Sequence, residues 1–272
     1  MARLSHTSAG ASDLRSLHVA GHKVDRPERQ PRPAIEWRSS DGARHVLPPS
    51  QVIGKFFEDE EPVRGAPSFR GQWSKPGRYW MSRTGRHVPY ESRFEMQHLM
   101  LLDHDPDVVS VAWQPFRVHF GRDQAPYTHV PDLFVRRSDN TASVVDVKGA
   151  LAADREDNQL VFALTKCVCS DAGLDYQVAT EPDPVVLANV TWLAGYRRTV
   201  PYTSDATQAL LDASADGATI ATIVAQAAQA TGLHALLVRP VLFHLLWRHQ
   251  LGIAHDRVLD DDTPVFPGGS DQ

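Results

Sequence analysis

At 272 residues the chain is long enough for one large domain or two modest ones, and its 42% apolar and 22% charged residues are ordinary for a globular protein. No run approaches the roughly 20 apolar residues of a membrane span, and residues 1–21 mix Arg, Ser, His and Ala without a secretory pattern. The net charge of −5 excludes an overall basic coat for nucleic acid.

The charge is unevenly spread. Residues 1–90 hold 15 Lys and Arg against 9 Asp and Glu, residues 91–199 hold 10 against 16, and residues 200–272 hold 3 against 8. A basic front suits phosphate and an acidic middle suits a metal ion. The cysteines, Cys167 and Cys169, are too close to favour a disulfide and lack the further ligands a zinc site needs. They fit two small apolar residues on a helix in a reducing cytoplasm. The histidines are scattered, with no paired metal-binding spacing.

Residues 1–34 are polar, rich in Arg and Pro and without apolar periodicity, and read as loosely attached chain. From Ile35 to about Val88 the pattern is loop-like, broken by Pro62, Pro67, Pro76 and several glycines. Within it, the stretch from Pro62 through Phe69-Arg70-Gly71-Gln72 to Gly77-Arg78-Tyr79-Trp80 mixes arginine with aromatics, a pairing that suits an arm tracking a nucleic-acid backbone and equally suits core packing. Glu91 to Asp103 has helical spacing, and Asp105-Pro106 ends it. Strands follow at Val108–Val111 and Phe116–Phe120, with a polar turn over 121–126. A β-hairpin is predicted from Tyr127–Val135 and Ser143–Lys148, joined by Ser138-Asp139-Asn140-Thr141. Asn158–Asp171 reads as a helix closed by Gly173, Tyr176–Thr180 as a strand, and Val186–Arg198 as a helix. After Pro201, helices are predicted over 205–213, 218–231 and 236–250, then a short extended tail. The expected organisation is a basic N-terminal arm over residues 1–61, an α/β domain of mixed sheet and flanking helices over 62–200, and a helical, winged-helix-like domain over 201–272.

The chemistry concentrates in the hairpin. Alternation along a strand puts Asp146 and Lys148 on one side and Val145 and Val147 on the other. Asp132 lies as far before Asp139 as Asp146 lies after it, so a loop centred on Asp139 brings the two carboxylates together across the strands. Two such carboxylates repel unless a cation sits between them. Mg²⁺, or Mn²⁺ in its place, prefers oxygen ligands and keeps reactive waters. Lys148 is placed to orient the attacking water and to stabilise developing charge, and the Val147 carbonyl to complete the ligand set. A further acid is expected from the preceding helix, where Glu91 and Glu95 stand one turn apart. Glu95 lies further along the apolar stripe, while Glu91 suits the helix start. The apolar run around Asp146 reads as a central strand, against a surface hairpin with a solvated salt bridge.

Helix with Glu, strands, Pro131-Asp132, hairpin, Asp146-Val147-Lys148 and helix together resemble the restriction-endonuclease-like superfamily, with its PD…(D/E)xK signature. More narrowly, residues 62–265 resemble the TnsA-type endonuclease subunit of heteromeric transposases. That likeness rests on Gly85-Arg86-His87-Val88, Tyr90-Glu91-Ser92-Arg93-Phe94-Glu95, Leu101-Leu102-Asp103, Asp107-Val108-Val109, Gln114-Pro115-Phe116 and Thr128-His129-Val130-Pro131-Asp132. The resemblance implies a restriction-endonuclease-like core that nicks the 5′ ends of a transposon on double-stranded DNA, beside a DDE-type recombinase that acts at the 3′ ends and an AAA+ ATPase regulator. It implies Glu95, Asp132 and Asp146 as metal ligands and Lys148 as the catalytic lysine. Some members carry Gln where this chain has Asp146.

With only Arg239, Arg248 and Arg257 as cations, the segment after residue 200 favours protein docking over DNA reading. Two alternatives stand beside the transposase reading: a stand-alone restriction or repair endonuclease, and a non-catalytic scaffold that retains a nuclease fold.

Overall fold

The computed structural model describes residues 33–65, 76–120, 128–198, 204–215 and 217–268. The expected arm up to residue 32, the stretch Phe69-Arg70-Gly71-Gln72, the turn expected at 121–126 and the boundary expected near residue 200 lie outside these residues. The fold is mixed α/β, with several sheets flanked by helices. Two compact units divide the chain: one takes residues up to Arg64, Gln114–Phe134 and Ser143–Val178, the other Gly65–Trp113, Val135–Ala142 and Ala179–Gln272.

The first unit contains strands where the sequence predicts an arm. β1 (Ala34–Arg38) and β2 (Arg44–Leu47) join β6 (Arg117–His119) and β7 (Thr128–His129) in an antiparallel sheet of order β2-β1-β6-β7. β1 is buried along Ala34, Ile35, Glu36 and Trp37, so it is a core strand and not part of a loose arm. The polar residue among these hides the strand in the sequence, and its partners explain its burial. Arg44 gives Glu36 a two-pronged ion pair at 2.9 Å from β2, and His119 reaches it at 2.7 Å from β6. Behind the sheet, Phe57 packs against Trp37, Phe116 and Phe134, with ring centroids 5.9, 4.8 and 5.6 Å away.

A second four-stranded sheet has the order β10-β9-β8-β5, from β5 (Val108–Trp113), β8 (Leu133–Arg137), β9 (Ala142–Val147) and β10 (Asp175–Ala179). All six residues of β9 are buried, as a strand covered on both faces requires. A short helix α2 (Ala150–Ala153), absent from the sequence prediction, precedes α3 (Glu156–Asp171). α3 ends where Gly173 takes the left-handed conformation, φ +69°, that closes a helix without a Cβ clash. Cys167 is exposed and Cys169 buried on this helix, and both are free thiols.

The second unit holds a two-stranded ribbon, β3 (Gly77–Trp80) with β4 (His87–Tyr90), again where loop is predicted. Gly77 stands opposite Tyr90, whose ring fills the space a Cβ would need. The ribbon's turn is gathered by Asp103 of α1 (Arg93–His104), which is 2% exposed. Asp103 accepts hydrogen bonds from the Ser82 amide at 2.9 Å, the Ser82 hydroxyl at 3.1 Å, the Arg83 amide at 3.3 Å and the Tyr79 hydroxyl at 3.1 Å.

α4 (Pro184–Ala194), α5 (Ser204–Ala213), α6 (Ile220–Thr231) and α7 (Ala235–Trp247) follow, with the short pair β11 (Leu251–Gly252) and β12 (Phe266–Pro267). Their apolar faces make one core with Met100 and Leu101 of α1 packed against it. α5, α6, α7, Leu251 and Val265 therefore share this core with α4. Among the described residues no single helix is long and apolar enough to cross a membrane.

Burial alone would push the Glu36 carboxyl up, but hydrogen bonds from His119 and Arg44, with the charges of Arg44 and Arg117, outweigh it and bring the group down to about 2. A carboxyl lowered on folding stabilises above its unfolded value of 4.5 and loses that contribution as the pH falls towards 2. Glu36→Gln is therefore expected to lower the melting temperature at neutral pH and to flatten its fall across that acid window, measured by calorimetry at a series of pH values. Asp103→Ala strands several buried donors, and a loss of about 2–4 kcal/mol in unfolding free energy is expected by urea denaturation.

Candidate active site

The hairpin β8–β9 closes as the sequence predicts. The Arg137 amide donates to the Thr141 carbonyl at 3.0 Å, and Asn140 takes a left-handed conformation, φ 69°, in the turn. Counting back from that pair in antiparallel register sets Asp132 opposite Asp146. The Val147 amide donates to Asp132 Oδ2 at 2.8 Å, so the side chain of one strand end is tied to the backbone of the other. Asp132, half-buried, lies just before β8, and Asp146 is 3% exposed within β9.

Asp146 carries its charge inside the sheet, and its oxygens are met by two donors. His129 Nε2 from β7 lies 2.9 and 2.8 Å from Oδ1 and Oδ2, and the Tyr176 hydroxyl from β10 lies 2.5 Å from Oδ2. A carboxylate only accepts, so His129 bears its hydrogen on Nε2 here. Burial first, then the Asp146 charge, drives the Tyr176 hydroxyl well above the usual phenol range, so it stays protonated and donating. The same two causes push the Cys169 thiol up to about 12, which leaves it inert behind the strand.

Lys148 follows β9 directly and is exposed. Alternation along the strand directs it to the side Asp146 occupies. Val147, expected to lend its carbonyl, is buried, with its amide held by Asp132. The hairpin thus brings Asp132, Asp146, Val147 and Lys148 to one end of two paired strands.

Glu95 belongs to the second unit. It is 6% exposed, turned inward as expected, and sits in the first turn of α1. Ser92 is the N-cap and accepts from the Glu95 amide at 3.1 Å, while Glu95 Oε2 accepts from the Glu91 amide at 2.8 Å. This is a reciprocal helix cap, a structural use of a carboxylate where the helix dipole favours one. Glu91 precedes the helix, so the two acids are not one turn apart within it. Burial raises the Glu95 carboxyl above its usual range, against the pull of the Glu91 amide and Ser92.

Among the described residues no group of three or more His, Cys, Asp and Glu side chains is arranged to hold a metal ion. Two carboxylates with a main-chain carbonyl nevertheless match the chemistry of Mg²⁺, which is commonly bound through one or two carboxylates plus waters and substrate phosphate.

Sequence reasoning gave His129 and Tyr176 no role. His129 stands three residues before Asp132, and Tyr176 opens a strand expected from its pattern alone. Only the sheet order brings either to Asp146. No protein-family model matches the chain, and no curated protein matches it.

Tyr176→Phe removes one donor from a buried carboxylate and is expected to cost about 1.5–3 kcal/mol in unfolding free energy. Chemical denaturation followed by tryptophan fluorescence measures it; an unchanged midpoint would show that Asp146 does not depend on that hydroxyl.

Proposed function

We propose that the chain is a metal-dependent DNA endonuclease, the subunit of a heteromeric transposase that hydrolyses phosphodiesters at the 5′ ends of a transposon. The observation that carries this reading is the pair Asp132 and Asp146 at one end of a buried hairpin, with exposed Lys148 directly after it. In this reading the α/β part is a restriction-endonuclease-like core. The helices α5 to α7 with the β11–β12 pair form a winged-helix-like element that docks partner proteins, a DDE-type recombinase and an AAA+ ATPase regulator.

Asp132 and Asp146 would hold Mg²⁺ or Mn²⁺, with the Val147 carbonyl beside them. When bound, such an ion lowers the pKa of a coordinated water and neutralises charge on the phosphate. Lys148 orients the attacking water and stabilises the charge that develops as its oxygen bonds to phosphorus and the bond to the leaving oxygen breaks. His129 and Tyr176 keep the Asp146 carboxylate aimed. Glu95 is committed to the cap of α1 and holds the start of that helix.

A second reading has an observation of its own. Asp146 is already met by His129 and Tyr176, as a purely structural buried carboxylate would be. A scaffold that keeps a nuclease fold without cleavage follows from that. A strand-specific cleavage assay on transposon-end duplex, with Mg²⁺ or Mn²⁺ and the neighbouring recombinase, separates the two. Asp132→Ala and Lys148→Ala are each expected to reduce cleavage at least a hundredfold. Full activity of both variants would remove the assigned site, and a wild-type chain that neither cleaves nor binds metal by calorimetry would favour the scaffold.

A further inference from the structure

The β3–β4 ribbon carries a concentration of positive charge that neither the hairpin chemistry nor the helical core uses. Residues 76–90 contain Arg78, Arg83, Arg86 and His87 with no Asp or Glu, and residues 191–198 contain Arg197 and Arg198, again with no acid. In a chain of net charge −5 these two segments stand apart. The fold brings them together: the Arg197 guanidinium lies 5.3 Å from the Tyr79 ring and 5.7 Å from the Trp80 ring, and that of Arg198 lies 4.8 Å from Trp80. Arg78 and Trp80 share one face of β3, two residues apart. Arg78, Arg83 and Arg198 are exposed.

Two acids packed against the ribbon are engaged elsewhere. Asp103 is buried and used by the turn, and Asp105 pairs with Arg137 at 3.2 Å. Arg83 donates to the Asp105 carbonyl, and Arg197 to the Trp80 and Ala194 carbonyls while lying against the two rings. Among the described residues neither Arg78, Arg83, Arg197 nor Arg198 has a carboxylate within ion-pair distance. Such a cluster repels itself unless an anion meets it. Arginine stacked on an aromatic ring is held in place at little entropic cost and keeps its fork for a phosphate.

We infer that the outer face of the β3–β4 ribbon, with the arginines that follow α4, is a binding surface for the phosphate backbone of duplex DNA. Trp80 carries Arg198 over its ring and so positions that cation for a phosphate. The surface therefore binds without reading sequence, and its strength falls steeply with salt. The inference rests on the reading that the chain acts on DNA, and adds where the substrate is held.

The test is fluorescence anisotropy of a labelled duplex with the full chain, in EDTA to prevent cleavage, over a series of NaCl concentrations. The double variant Arg78→Ala with Arg198→Ala is expected to weaken binding roughly tenfold or more and to lower the slope of log Kd against log salt by about 2, close to one unit per lost phosphate contact. Arg257→Ala, which removes a cation ion-paired to Asp260, serves as the control and is expected to leave both unchanged. Circular dichroism checks the fold, and both substituted residues are exposed. If wild type binds and the double variant keeps its slope, the surface is overturned while the cleavage reading stands. If the slope falls but Asp132→Ala and Lys148→Ala cleave like wild type, the surface stands and the cleavage site fails. A wild-type chain that binds no duplex overturns the surface and points instead to an acidic protein partner.

Discussion

A carboxylate on a strand with both faces covered is the constraint around which the first unit is arranged. Asp146 cannot be solvated within β9, and an unpartnered buried charge is among the costliest features a fold can carry. The sheet answers with donors from other strands, His129 of β7 and Tyr176 of β10. Those strands must then keep their places relative to β9. The same constraint fixes the open end of the hairpin, where the Val147 amide is committed to Asp132. A pair of carboxylates held this way is preorganised, which a metal site needs, at the expense of the freedom of every residue that holds it.

Buried acids recur as organising centres. Glu36 ties β1 to β2 through Arg44 and to β6 through His119. Asp103 draws four donors of the β3–β4 ribbon onto α1. Glu95 closes the first turn of the same helix. With several of its acids turned inward, an acidic chain can still present an arginine-rich outer face. Net charge and surface charge are different quantities, and binding to a polyanion follows the second.

The sequence signals differ in how well they survive folding. α3, its closing Gly173 and the buried strand β9 were legible because local pattern and tertiary environment agree there. The approach of Asp132 to the end of β9 was legible because a tight turn sets register by counting. β1, β2, β3 and β4 were not. Their residues alternate poorly, and Glu36 and Arg78 look like loop residues until their partners are known. The helical stripe turned Glu95 inward, as its burial shows, but that its carboxylate caps the helix was not legible, because the cap depends on the backbone conformation before Arg93.

The hairpin with its two aspartates and trailing lysine was therefore readable from the chain alone: strand period and turn length are local properties, and they bring Asp132, Asp146 and Lys148 to one end. The donors of Asp146, the capping role of Glu95, the strands before residue 62 and the meeting of Arg197 and Arg198 with Tyr79 and Trp80 were decided only in three dimensions. Each depends on contacts between residues whose joint effect no local pattern encodes, and each buried charge became tolerable only once its distant partner had arrived.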